Sequence, residues 1–141
     1  MRKLLPALAL LLTQNALAGD MNYQRAHYNY QMFCQGCHTP DGSGAMSVPQ
    51  MKGHVGHVLE IPRGREYLVR VPGSATSALD DEQLAEVLNW IMLEFAGESL
   101  APDYQRYTST EVGQLRQTPL NEVAQYREQL LVDIARAKSG E

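Results

Sequence analysis

Cysteine is scarce in this sequence, since only Cys34 and Cys37 occur among 141 residues. A single pair excludes a disulfide-rich scaffold, which needs several bridges. Long apolar runs are also lacking, and no segment has the length and composition of a bilayer-spanning helix. There is no basic excess, because 12 Lys and Arg face 16 Asp and Glu, which argues against a nucleic-acid partner. With 44% hydrophobic and 20% charged residues, the composition is that of an ordinary globular domain.

The first eighteen residues differ from the rest of the chain. Arg2 and Lys3 precede an apolar run over residues 4–12, and residues 16–18 (Ala-Leu-Ala) fit a small-x-small cleavage site. This order predicts a secretory signal peptide over residues 1–18, with a buried N-terminal helix as the alternative. No cysteine directly follows the cleavage site, so we expect a soluble periplasmic protein without a lipid anchor. Loss of the two basic residues leaves 10 basic against 16 acidic residues, a net charge of −6.

A histidine directly follows the second cysteine, which gives the sequence Cys34-Gln35-Gly36-Cys37-His38. Cys-x-x-Cys-His is the attachment signature of c-type haem. Two intervening residues let both sulfurs reach adjacent vinyl groups of the porphyrin from one helical turn. We expect thioether bonds at Cys34 and Cys37, and His38 as the proximal iron ligand. Because this attachment takes place outside the cytoplasm, the motif and the signal peptide support each other.

Two other chemistries use cysteine pairs of this spacing. A thioredoxin-type redox site needs a βαβ context, and no such pattern precedes the motif. A zinc site would recruit His54 and His57, whose spacing approaches that of a zinc finger without matching it and leaves His38 without a role. The sequence therefore favours one covalently attached haem c over zinc binding or thiol–disulfide exchange.

Three segments around the motif have spacings in common with one protein family. A helical stripe precedes the motif and consists of Tyr23, Ala26, Tyr30 and Cys34. Residues 49–53 (Pro-Gln-Met-Lys-Gly) follow the motif, and residues 80–97 have the pattern of a capped, amphipathic helix that ends at a glycine. Through these segments and the motif, residues 22–95 resemble class I c-type cytochromes.

The resemblance implies an all-α, cytochrome c-like fold around one haem, with the haem domain at residues 19–97. It implies that the Pro49 carbonyl accepts a hydrogen bond from His38 and so orients the ring. For His57 it implies contact with a haem propionate, with iron ligation as the alternative. Three arginines are expected near the haem edge, where each pairs with a propionate or remains a solvated charge; they are Arg63, Arg65 and Arg70.

The loop at residues 71–79 departs from the resemblance, because it contains neither methionine nor histidine. The family carries its sixth iron ligand, a methionine, in this loop. Met51 takes the place of a core leucine, and Met92 lies within the last helix. Met32 and Met46 are tied to the proximal side by their closeness to the motif. No residue is therefore assigned as the sixth ligand.

Residues 98–141 extend beyond the family's usual domain. Thr108 and Glu111 have the spacing of a capping box for a short helix. Thr118 and Pro119 then predict the start of a longer one, as cap and first helical residue. We expect this helical extension to pack back on its own domain; a docking arm for a partner protein is the alternative.

These features together predict an electron carrier rather than an enzyme, since no acid–base constellation stands out. The expected function is one-electron transfer between periplasmic redox partners, a dehydrogenase donor and/or an oxidase acceptor. The missing loop methionine leaves a second hypothesis, a haem module that binds or senses small ligands at an open iron position. A haem subunit of a larger oxidoreductase complex is the third.

Overall fold

The computed structural model describes residues 21–140, and the regular elements of this part are all helical. The helices are α1 (Tyr23–Phe33), α2 (Gln35–His38), α3 (Pro62–Arg70), α4 (Pro72–Ala75), α5 (Asp81–Phe95), α6 (Ser109–Leu115) and α7 (Val123–Ser139). Short 3₁₀ turns cover Val55–Glu60 and Gly97–Ser99. The predicted all-α class is confirmed, whereas the predicted signal peptide lies outside the described residues. Among the described helices none is long and apolar enough to cross a membrane.

Helix α1 crosses α5 through the stripe that its sequence predicts. Ala26 and Tyr30 are completely buried, and the Tyr30 ring lies 4.8 Å from the Trp90 ring, measured between centroids. Alanine leaves room for the two helices to approach closely, and the aromatic pair fills the space beside it. Asn22 caps α1 by accepting a hydrogen bond from the Arg25 amide at 3.0 Å. The crossing holds the end of α1, and with it the cysteine motif, against the core.

Helix α5 begins with the capping box that the sequence predicts. The Asp80 carboxylate accepts from the Gln83 amide at 2.8 Å, and the Gln83 side chain accepts from the Asp80 amide at 3.2 Å. Three buried side chains, Leu84, Leu88 and Trp90, are among those that place this helix at the centre of the core. The reciprocal bonds satisfy amides that an uncapped helix leaves unpaired.

The extension packs onto the domain rather than projecting from it. Tyr107 and Val112 are buried in the same core as α1 and α5. A second cluster joins Leu130 and Ile134 of α7 to Tyr67 of α3. Both helices of the extension therefore bury their apolar faces against the preceding part of the chain.

The predicted start of the last helix at Thr118 and Pro119 is wrong, since α7 begins at Val123. The reason is a tertiary hydrogen bond: the Leu120 amide donates to the Arg70 carbonyl at 2.9 Å, and the Leu120 side chain is buried. This contact fixes the segment before α7 against the end of α3, so the helix starts later than its local signals indicate.

Candidate haem-binding site

The cysteine motif sits at the point where α1 ends and α2 begins. The Cys34 amide still donates to the Tyr30 carbonyl at 2.9 Å, but at Cys34 φ is −122° and the helix is interrupted. The chain then turns once more, and the His38 amide donates to the Cys34 carbonyl at 3.0 Å. Residues three and four apart on a helical turn lie on one side of it. Cys34, Cys37 and His38 are thus presented together by a single turn.

The two thiols are free and have different environments. Cys34 is partly buried and Cys37 is exposed. Burial, with a smaller contribution from the neighbouring Cys37, raises the pKa of the Cys34 thiol to about 11. Thiol–disulfide catalysts instead stabilise a thiolate by lowering this pKa. The protonated Cys34 thiol therefore does not resemble a thioredoxin-type nucleophile.

His38 is a partly buried imidazole whose Nδ1 atom is buried and has no hydrogen-bond partner among the described residues. Burial lowers the pKa of His38 below its ordinary value, which favours the neutral ring. Neutral imidazole is the form that ligates a metal, and a buried polar atom without a partner costs about 1–3 kcal/mol. A neutral ring next to two free thiols fits the needs of a covalently attached haem.

The segment after His38 is held close to the motif by several bonds. The Gly44 amide donates to the His38 carbonyl at 3.2 Å. A Cβ atom added at Gly44 would lie 3.0 Å from the Pro49 carbonyl oxygen, so this carbonyl packs closely against the Gly44 backbone. The structure contains no hydrogen bond from His38 to Pro49 within the described residues, so that predicted contact stays a prediction.

Tyr30 has a role beside the motif that the sequence did not predict. Its buried hydroxyl donates to the Thr39 carbonyl at 2.6 Å, directly after His38. Burial raises the pKa of Tyr30, so the hydroxyl remains a donor. Helical periodicity placed Tyr30 in the helix crossing but gave no signal for its hydroxyl, because the acceptor is a backbone atom nine residues away.

His57 is partly exposed and contacts two charged side chains. Its Nδ1 lies 2.7 Å from a carboxylate oxygen of Glu60, and Lys138 of α7 reaches the same oxygen at 3.0 Å. The propionate contact implied for His57 stays a prediction. Within residues 21–140 no three His, Cys, Asp or Glu side chains gather as a metal-binding group, so His54 and His57 do not join the cysteines in one.

The three arginines expected at the haem edge all bind the extension. Arg63 pairs with Asp133 and Arg65 with Glu111. The Arg70 guanidinium donates to the Thr118 carbonyl at 2.8 Å. These contacts link the extension to α3, and pairing of the arginines with haem propionates stays a prediction.

Arg116 of the extension forms several hydrogen bonds with the segment before α5. Its guanidinium donates to the carbonyls of Ala75 at 3.1 Å, Ser77 at 2.9 Å and Leu79 at 2.8 Å. It also pairs with Asp81 at 3.0 Å, and only 11% of the Arg116 side chain is exposed. The sequence gave no signal for this contact, because all the partners lie more than thirty residues before the arginine.

Comparison with known proteins places the chain in a family. No protein-family model matches it. Cytochrome c-552 of Thermus thermophilus is 31% identical over 102 residues, which cover 59% of this chain and 78% of the relative. A second cytochrome c-552, from a particular strain of the same organism, is also 31% identical over 102 residues, which cover 69% of that protein. At this identity over more than two thirds of each relative, and with an all-helical fold that presents the Cys-x-x-Cys-His turn, the chain belongs to the c-type cytochromes.

Proposed function

We propose that this chain is an exported, class I monohaem cytochrome that carries single electrons between redox proteins. The observation that carries the proposal is the single helical turn that presents two free thiols and a neutral imidazole, at Cys34, Cys37 and His38. When bound, haem supplies an iron that exchanges one electron by cycling between its ferrous and ferric states. Membership of a family of electron carriers rather than enzymes supports this assignment.

Each residue of the motif has a separate task in this proposal. Cys34 and Cys37 hold the porphyrin through thioether bonds, and His38 provides the iron ligand. Burial keeps the His38 ring neutral. The Nδ1 atom of His38, which has no partner among the described residues, would donate a hydrogen bond to the Pro49 carbonyl. We further propose His57 as a contact for a haem propionate.

We further propose a location and partners for the protein. The leader-like residues 1–18 support export to the periplasm. There the partners would be a dehydrogenase donor and/or an oxidase acceptor. We propose residues 19–97 as the haem domain and residues 98–141 as a helical extension that stabilises it.

The loop before α5 favours a second candidate, a module that binds small ligands at the iron. Residues 71–79, which include the short helix α4, contain no methionine or histidine, and Arg116 donates to the carbonyls of Ser77 and Leu79 in this segment. An iron without a protein ligand on its second face can bind carbon monoxide, nitric oxide or peroxide.

Covalent attachment tests the proposal directly. The full chain should be matured in a host with haem-attachment machinery and then denatured. We expect the haem colour to stay with the wild-type polypeptide. In Cys34→Ala the haem should remain attached through the single thioether bond at Cys37, and in the double variant Cys34→Ala/Cys37→Ala the colour should be lost. Haem released from the denatured wild-type protein would contradict the proposal.

The absorption spectrum of the ferric protein separates the two candidates. A low-spin spectrum supports a carrier with both axial positions filled by the protein. A high-spin spectrum, together with rapid binding of carbon monoxide to the reduced form, favours the ligand-binding module instead.

A further inference from the structure

The residue directly after His38 has a backbone conformation that threonine rarely adopts. Thr39 has a φ of 63° and a ψ of 160°. Glycine is almost alone in populating this region, and a β-branched residue with positive φ is a genuine outlier. Among the described residues, Met46 is the one other non-glycine residue with a positive φ. Strain of this kind persists only where the surrounding structure holds it, and it clusters at functional sites.

Two consecutive carbonyl groups around Thr39 are each held by two donors. The His38 carbonyl accepts from the Thr39 hydroxyl at 2.5 Å and from the Gly44 amide at 3.2 Å. The Thr39 carbonyl accepts from the buried Tyr30 hydroxyl at 2.6 Å and from the Gly42 amide at 3.4 Å. The donors come from α1, from Thr39 itself and from the chain after the motif, so the backbone at His38 and Thr39 is fixed from several sides.

The Thr39 hydroxyl gives a reason for threonine at a position that favours glycine. Besides the His38 carbonyl, it contacts a carboxylate oxygen of Asp41 at 3.0 Å and the Ser43 hydroxyl at 3.1 Å. The same carboxylate oxygen accepts from the Ser43 amide at 3.1 Å. Glycine would adopt the backbone conformation without strain, but it has no side chain to make these contacts. The strained residue therefore connects His38 to the turn that follows it.

The chain returns toward the motif directly after Thr39. The Met51 and Lys52 amides both donate to the Gly42 carbonyl, at 2.8 Å and 3.0 Å. These bonds close a loop in which the Pro49 carbonyl packs against the Gly44 backbone. Thr39 thus lies at the reversal between His38 and the segment that packs beside it.

We propose that Thr39 is a positioning residue, which fixes the plane of the His38 ring on the haem iron and so sets the reduction potential. The inference rests on the proposed function, because it needs His38 to ligate the iron. The rotamers open to a side chain depend on its backbone φ and ψ, so holding the His38 carbonyl limits the directions of the ring. Groups around a ligating histidine orient its ring and raise its basicity. A more basic imidazole favours the ferric state of the iron.

Three substitutions separate the hydroxyl from the strained backbone. Thr39→Val keeps the branched shape but lacks the hydroxyl, Thr39→Gly removes both the hydroxyl and the strain, and Thr39→Ser keeps the hydroxyl. Each full chain is matured with haem and titrated to its midpoint potential. In Thr39→Val and Thr39→Gly we expect the reduced-to-oxidised ratio at the wild-type midpoint to rise about three-fold, because the ring is held less firmly and is less basic. Thr39→Ser should stay near the wild-type value.

Two further measurements distinguish positioning from a purely structural role. The proton NMR signals of the haem methyl groups in the ferric protein report the plane of the axial ring, and they should move in Thr39→Val and Thr39→Gly. Urea denaturation should give Thr39→Gly a folded-to-unfolded ratio about ten-fold above that of Thr39→Val, because glycine relieves the strain. A midpoint potential and methyl signals that are unchanged in both variants would overturn the proposal, whatever their stability.

Met46→Gly is the matched control. Met46 has a φ of 54° and a fully exposed side chain, so the substitution relieves similar strain away from His38. It should move neither the midpoint potential nor the methyl signals. A shift as large as that of Thr39→Gly would assign the effect to general loosening of the loop and overturn the proposal.

Failure of this inference can be told apart from failure of the proposed function. Wild-type protein that matures without covalent haem would remove the proposed function, and the role of Thr39 with it. Covalent haem whose midpoint potential does not respond to Thr39→Val or Thr39→Gly would remove only the role of Thr39.

Discussion

Tyr30 and Thr39 are joined by a hydrogen bond of 2.6 Å in which the buried phenol hydroxyl donates to a backbone carbonyl. Thr39 directly follows His38 and has a φ of 63°, which is unusual for a residue other than glycine. The bond links the α1–α5 crossing to the chain that leaves the motif. The same side chain therefore supports both the core and the position of the proposed iron ligand.

Tyr30→Phe should lower the free energy of unfolding by about 1–3 kcal/mol, because it leaves a part-buried carbonyl without its donor. Urea denaturation followed by circular dichroism measures the change. Tyr28→Phe is the matched control, since Tyr28 is exposed on the opposite side of α1. Equal stability of the two variants would show that the Thr39 carbonyl finds another partner.

Arg116→Ala should destabilise the protein by about 3 kcal/mol, since hydrogen bonds to a charged group contribute about 1.5–3 kcal/mol and three backbone carbonyls lose their donor. Arg116→Lys should recover only part of this loss, because an ammonium group lacks the planar fork of the guanidinium. Denaturant midpoints provide the measurement. Arg136→Ala, at an exposed position of α7, should change stability by less than about 0.5 kcal/mol. A loss no larger than that of the control would contradict the role given to Arg116.

Asn89→Ala should destabilise the junction between α5 and the extension. Asn89 is buried, donates to the Tyr107 carbonyl at 3.0 Å and accepts from the Tyr107 amide at 2.7 Å. Its loss leaves buried backbone groups unpaired, at about 2–4 kcal/mol for the pair. Hydrogen exchange should show faster loss of protection at the Tyr107 amide, whereas Asn121→Ala, at an exposed site, should leave it unaltered.

Asp41 should make stability depend on pH in the acidic range. Hydrogen bonds from Ser43 and Thr39 hold the pKa of Asp41 at about 2, below its ordinary value of 3.8. Because the folded-state pKa is depressed, the stabilisation is complete above pH 3.8 and is lost as pH falls toward 2. We expect the Tm difference between wild type and Asp41→Asn to be present at pH 5 and to shrink through this range. A difference that stays constant over the same range would contradict this assignment.

Local patterns predicted the parts of the fold that local interactions determine. The sequence predicted the capping box of Asp80 and Gln83 because the two residues are three positions apart. It predicted the buried face of α1 because Ala26 and Tyr30 follow helical spacing. The start of α7 could not be predicted from local patterns, because the hydrogen bond from the Leu120 amide to the Arg70 carbonyl spans fifty residues. Two neighbouring thiols and a histidine were likewise visible in sequence, whereas the Tyr30 hydroxyl and Arg116 act on backbone atoms that no side-chain pattern reveals.

The guanidinium of Arg116 has a consequence for how much chain makes a self-sufficient unit. The carbonyls of Ala75, Ser77 and Leu79 have their donors on a residue that a family-sized fragment ending at position 97 would omit. Such a fragment would expose apolar surface where Tyr107 and Val112 had covered it. Transferring the cysteine motif and its surrounding helices into another protein therefore requires transferring the extension as well, because the extension completes the smallest unit that folds by itself.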